Sequence, residues 1–118
     1  MKSVLLIFSL ISFAVFSAPE NPVGPLLESM KLISNQDLSC STEKECGVLA
    51  IGDQACGGPT SYLIVSNNNP QLPLLTEMAF MSKKVEEQYN EQYDIVSTCI
   101  LLAKPEFECQ SNICVRTR

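Results

Sequence analysis

Residues 46–66 read CGVLAIGDQACGGPTSYLIVS, and this stretch sets the fold. Cys46–Ile51 is a short apolar run closed by the turn-prone pair Gly52-Asp53. Ser61–Ser66 is rich in β-branched and aromatic residues. Two strands are predicted. The connection between them, Gly52–Tyr62, holds three glycines, one proline and one cysteine.

Downstream, Leu74, Met78, Met81, Val85 and Tyr89 recur at steps of three and four within Pro73–Tyr93. That spacing predicts a helix with those residues on its core face. Ser82, Lys83, Glu86, Glu87, Asn90 and Glu91 fill the predicted wet face. Pro73 suits a first helical turn, where its missing N–H has no intrahelical partner anyway. Asp94–Leu102, DIVSTCILL, reads as a third strand, and Phe107–Cys109 with Ile113–Thr117 as a terminal hairpin. Upstream, residues 18–25 (APENPVGP) predict an extended, mobile lead-in. Leu26, Leu27, Met30 and Ile33 then fall at helical spacing, either as a short helix packed on the domain or as a loosely held arm. The order predicts an α+β fold: a small antiparallel sheet with one main amphipathic helix, stapled by three disulfides. The expected divisions are a leader over 1–17, a mobile or partly helical N-terminal arm over 18–36, and a disulfide-stapled domain over 37–118.

The leader reading rests on MKSVLLIFSLISFAVFS, residues 1–17. One lysine precedes an apolar run of about a dozen residues, the pattern of a secretory signal peptide and short for a membrane span. Cleavage after Ser17 puts Ser17 and Val15 at the two selective positions, which predicts a mature start at Ala18. A secreted or periplasmic location follows.

Export changes the meaning of Cys40, Cys46, Cys56, Cys99, Cys109 and Cys114. An even number in a short exported chain predicts three disulfides, with 15 possible pairings. Cys40/Cys46 and Cys109/Cys114 flank turn-capable segments and allow local pairs. A link between the 40–56 and 99–114 groups restrains the unfolded chain more than a local pair does, and stabilises by roughly 4 kcal/mol in all. At least one such link is expected, Cys56–Cys99 being an example. No Cys-x-x-Cys spacing is present, so neither a redox motif nor a zinc ribbon is read.

Composition removes most chemistries. The 118 residues include no His and no Trp, and the net charge is −5. Without His there is no Ser-His-Asp or Cys-His catalysis and no His-ligated metal. An acidic chain is a poor match for nucleic acid or anionic membranes. Ser82 and Lys83 are helix neighbours and do not face each other. The carboxylate pairs Glu43/Glu45, Glu86/Glu87 and Glu106/Glu108 lie in segments read as solvated. Neither a calcium loop nor a phosphate loop is spelled. No catalytic residue, metal or cofactor is expected.

What remains is the connection between the strands. Gly57 and Gly58 supply backbone angles closed to other residues, Pro59 stiffens the exit and Cys56 staples the loop. A stiff loop loses little entropy on binding. The candidate binding residues are Asp53, Gln54, Ala55, Gly57, Gly58, Pro59, Thr60 and Tyr62. The pattern Cys40-x5-Cys46, Cys56-Gly-Gly-Pro-Thr-Ser-Tyr62, Cys99 and Cys109-x4-Cys114 resembles a scattered set of small exported bacterial six-cysteine proteins with a Cys-Gly-Gly-Pro-x-x-Tyr segment. That resemblance spans about residues 40–116. It implies export and disulfides, and implies nothing about catalysis. The leading expectation is an exported, non-enzymatic binding module that inhibits a secreted or envelope hydrolase of the protease or lysozyme class. The alternative is a structural or interaction domain of an extracellular or envelope assembly. The expected partner is a protein, with no nucleic acid and no membrane once the leader is removed.

Overall fold

The computed structural model describes residues 11–12 and 19–118. The predicted leader and the start at Ala18 lie outside the described residues, Ile11 and Ser12 excepted. The elements are α1 (Val23–Asn35), β1 (Cys46–Ile51), β2 (Ser61–Ser66), α2 (Leu72–Gln92), β3 (Phe107–Gln110) and β4 (Ile113–Arg116), with a 3₁₀ turn at Glu43–Glu45. The fold is a small disulfide-stapled α+β domain with antiparallel pairing throughout.

β1 and β2 pair from Cys46↔Ser66 to Ile51↔Ser61. β3 and β4 form a second hairpin, with Cys109 opposite Cys114. Its two-residue turn is Ser111-Asn112, both at positive φ (51° and 62°). That double left-handed turn matches the right-handed twist of the strands it joins. The predicted third strand over 94–102 does not form. Asp94 and Cys99 adopt φ of 49° and 57°, which an extended strand excludes, and residues 95–106 carry no regular structure.

α1 begins at Val23, inside the predicted extended lead-in. Pro22 and Pro25 suit its first turn, since they lack an N–H that would be unpaired there. Asn21 Oδ1 accepts the Val23 N–H (3.0 Å). Val23 and Met30 join Ile51, Leu63, Val65, Leu75 and Ala79 in the main core. Ser34 Oγ donates to the Ile64 carbonyl (2.6 Å), and the buried Asn69 donates to the Ile33 carbonyl (3.0 Å), so both strand and helix ends hold α1 in place.

The buried stripe of α2 corrects the predicted one. Leu75, Ala79, Ser82 and Glu86 are buried, whereas Leu74 and Met81 are exposed. The observed stripe is the predicted stripe moved on by one residue, about 100° round the helix. Ser82 and Glu86, assigned to solvent by periodicity, point into the protein.

A second, smaller core packs Leu38, Ile64 and Phe107 around Cys40, Cys46, Cys109 and Cys114. The bridges are Cys40–Cys109, Cys46–Cys114 and Cys56–Cys99. All are long-range, and neither local pair occurs. Leu38–Cys40 runs beside β4: the Cys114 N–H donates to the Leu38 carbonyl and the Cys40 N–H to the Asn112 carbonyl. Just before it, the Ser39 hydroxyl and N–H both donate to Asp37 and hold that carboxyl below its ordinary range.

Candidate functional site

The loop from Gly52 to Thr60 is held from within and from behind. Inside it, the Gln54 N–H donates to the Gly58 carbonyl and the Gly57 N–H to the Gln54 carbonyl, both at 2.8 Å. Gln54 Nε2 donates to the Pro59 carbonyl (2.8 Å). Gly57 and Gly58 sit at φ of 98° and 83°, the left-handed region that favours glycine. Asp53 to Thr60 are thus brought together. Tyr62 is not: it lies on β2 opposite Ala50.

Behind the loop stands a polar seam on α2, Ser82, Glu86 and Asn90, at i, i+4 and i+8. Ser82 Oγ accepts the Gly52 N–H (2.9 Å). Glu86, 2% exposed, accepts from the Asp53 N–H (2.7 Å), the Thr60 hydroxyl and Asn21 Nδ2 (2.7 Å). Asn90 Nδ2 donates to the Asp53 carbonyl (2.7 Å). A buried carboxylate without a cation needs several donors to replace its lost water. Among the described residues Glu86 has three, from the segment before α1, from just after β1 and from just before β2. Loop reasoning alone missed this seam. Its trace in the sequence is the polar residues spaced by four, Ser82, Glu86 and Asn90, in the second half of α2, where Val85 and Tyr89 are the only apolar residues.

Gly52 sits against this seam at φ 77°. A Cβ there would lie 2.5 Å from Glu86 Oε1 and 2.8 Å from Thr60 Oγ1. Gly52→Ala is therefore expected to lower stability by about 3 kcal/mol, combining left-handed strain with a displaced carboxylate. Urea denaturation measures it, and a loss under about 0.5 kcal/mol, the range of a neutral surface change, would contradict the packing described.

In front of the loop runs the segment 95–102, tied on by Cys56–Cys99. Ser97 Oγ accepts the Cys56 N–H (2.9 Å), and Gln54 Nε2 donates to the Ile100 carbonyl (3.2 Å). Its apolar side chains stay in water: Val96 is 90% exposed, Leu101 82%, and Ile100 and Leu102 are exposed too. Beside them, Asp53, Glu87, Glu91 and Asp94 line a recess of about 520 Å³ with Ile95 and Val96. The face is an apolar ridge next to an acidic hollow. Cys40, Cys46 and Cys114 bring their sulfurs within 4.8 Å of one another, but every one is committed to a disulfide.

Three disulfides place the protein in an oxidising extracellular or periplasmic environment. No described helix is long and apolar enough to cross a membrane. No family model, curated protein or solved structure matches the chain.

Proposed function

We propose that this chain is an exported, non-enzymatic binding module whose contact surface is the loop 53–60 together with the segment 95–102. One observation carries the reading: an exposed run of Val96, Ile100, Leu101 and Leu102 is fixed by Cys56–Cys99 to a loop that Glu86 anchors from behind. A monomer has no folding reason to keep four large apolar side chains in water on one segment. Held in place before binding, they lose little conformational entropy when a partner covers them.

The partner chemistry that suits this face is an apolar cleft with a basic rim, complementary to the ridge and to Asp53, Glu87, Glu91 and Asp94. Insertion of a stapled ridge into an enzyme's cleft blocks substrate entry. We therefore read the module as an inhibitor of a secreted or envelope hydrolase, protease or lysozyme in class.

The test is a stoichiometric titration against a panel of such enzymes, with wild type, Gly58→Arg and Leu101→Glu. Leu101 is mostly solvent-exposed, so its substitution leaves the fold intact. Wild type is expected to inhibit at micromolar levels and both variants about tenfold or more weakly. Absence of inhibition by wild type removes the inhibitor reading. Complex formation on native sizing without effect on any hydrolase supports instead a structural domain of an extracellular assembly.

A further inference from the structure

We infer that the outer edge of β1 takes up an extended peptide strand, with its side chains seated in the groove between that edge and α2. The inference starts from the hydrogen-bond alternation of the β1–β2 ladder. The Asn67 N–H donates to the Glu45 carbonyl (2.7 Å) and the Thr60 N–H to the Ile51 carbonyl (2.9 Å). Glu45, Gly47, Leu49 and Ile51 therefore turn their backbone groups toward β2, and Val48 and Ala50 turn theirs outward. The same alternation delivers the Gly52 N–H to Ser82 Oγ on the far side from β2. Among the described residues β1 pairs with β2 alone, and no hydrogen bond links Val48 or Ala50 to any other element.

Among the described residues nothing pairs with this edge. Edge strands are ordinarily blunted by Lys, Pro, a bulge or a covering segment. The sequence Gly47-Val48-Leu49-Ala50 has no charge and no proline. Below the edge lies a groove of about 360 Å³, walled by Val48, Leu49 and Ala50 on one side and Thr76, Ala79 and Phe80 on the other. Phe80 is 61% exposed. A two-strand sheet is about 5 Å across between strand axes, narrower than the helix beneath it. A third strand, docked on β1, covers Phe80 with alternate side chains and uses the outward N–H and C=O groups.

Those groups specify the occupant as extended polypeptide, since only a backbone presents donors and acceptors at the same repeat. Lys83 lines the groove, and Lys84 Nζ sits 4.7 Å over the Phe80 ring. Asp53 lines the same groove as well. The peptide therefore alternates apolar residues and carries an acid toward the two lysines, away from Asp53. This site needs no hydrolase, and its test is separate from inhibition.

The probe is a labelled peptide of about nine residues alternating Val and Thr around one Asp, long enough for one strand. The readout is amide exchange by NMR. In the free protein the Val48 and Ala50 amides are expected to exchange fast and the ladder amides of Leu63 and Val65 slowly. Millimolar peptide is expected to slow Val48 and Ala50 about tenfold or more. Ala50→Pro removes an outward N–H and no ladder bond, so it abolishes the effect while leaving Leu63 and Val65 protected. Phe80→Glu, at an exposed position, weakens binding and carries the test if Ala50→Pro does not fold. Slow exchange of Val48 and Ala50 without peptide overturns the inference; if that slowing grows with protein concentration, a second copy is the occupant. No slowing with peptide, or wild-type binding by the variants, overturns it as well.

Discussion

Replacing Cys40, Cys46, Cys109 and Cys114 together by Ala is expected to unfold the protein at about 25 °C, whereas losing either bridge alone leaves it folded. Cys40–Cys109 and Cys46–Cys114 span 69 and 68 residues. Each, acting alone, constrains the unfolded chain by about 4 kcal/mol on the loop-entropy account. Their spans interleave, however, because Cys46 lies inside the first span and Cys114 outside it. With one closed, the other closes only a short ring built from residues 40–46 and 109–114, an effect of about 3 kcal/mol. Single losses are therefore expected to cost about 3 kcal/mol each, and the joint loss about 7 kcal/mol, exceeding their sum. Small domains have about 5–15 kcal/mol in total, so the joint variant falls at or below the threshold. Urea midpoints of the two paired-Ala variants give the single losses, and circular dichroism of the quadruple variant in water shows whether it is unfolded, its own urea midpoint giving the joint loss if it is not. A joint loss equal to the sum of the single losses would show that the bridges act independently.

The second large effect is centred on Glu86. Glu86→Ala is expected to cost about 4 kcal/mol, because the Asp53 N–H and the Thr60 hydroxyl lose a charged acceptor inside the protein and Asn21 loses its anchor. Glu86→Gln is expected to cost about half as much. Its carbonyl still serves Asp53 and Thr60, but its NH₂ meets the NH₂ of Asn21. Turning Asn21 round to fix that contact would release the Val23 N–H. Thermal and urea denaturation give the ordering wild type, Gln, Ala. Amide exchange across 53–60 adds a local readout, faster in both variants. Equal stability of Ala and wild type would remove the seam from the account of the loop.

Much of the fold was legible because local signals agreed with one another. The two strands of residues 46–66 are bounded by Gly52-Asp53 and by Asn67-Asn68, and the observed strands have the predicted limits. The terminal hairpin follows from Ser111-Asn112, residues that tolerate the left-handed turn between β3 and β4. The segment 94–102 failed as a strand because an apolar run says nothing about whether a sheet edge is there to receive it. Here Cys56 captures Cys99 in a left-handed backbone state and leaves the run in water.

The face of α2 misled for a related reason. Periodicity equates apolar with buried, and it selects Leu74 and Met81. The folded chain instead buries Ser82 and Glu86, since the backbone of a glycine-rich connection has its own donors to satisfy. The candidate loop was legible from its glycines, its proline and Cys56. The seam behind it and the apolar segment in front of it come from residues about 30 and 45 positions away, a distance over which spacing rules carry no signal.

The placement of the sulfurs also governs how the molecule meets proteases. All three bridges join the chain up to Cys56 to the chain from Cys99 onward. A single cut at any peptide bond between those two cysteines yields two polypeptides and still one particle, held by three covalent ties. The hydrogen bonds that Gly52 donates to Ser82, and Asp53 and Thr60 to Glu86, cross such a break as well wherever it falls after Thr60 and before Ser82. A nick in this region therefore lengthens no loop and frees no fragment.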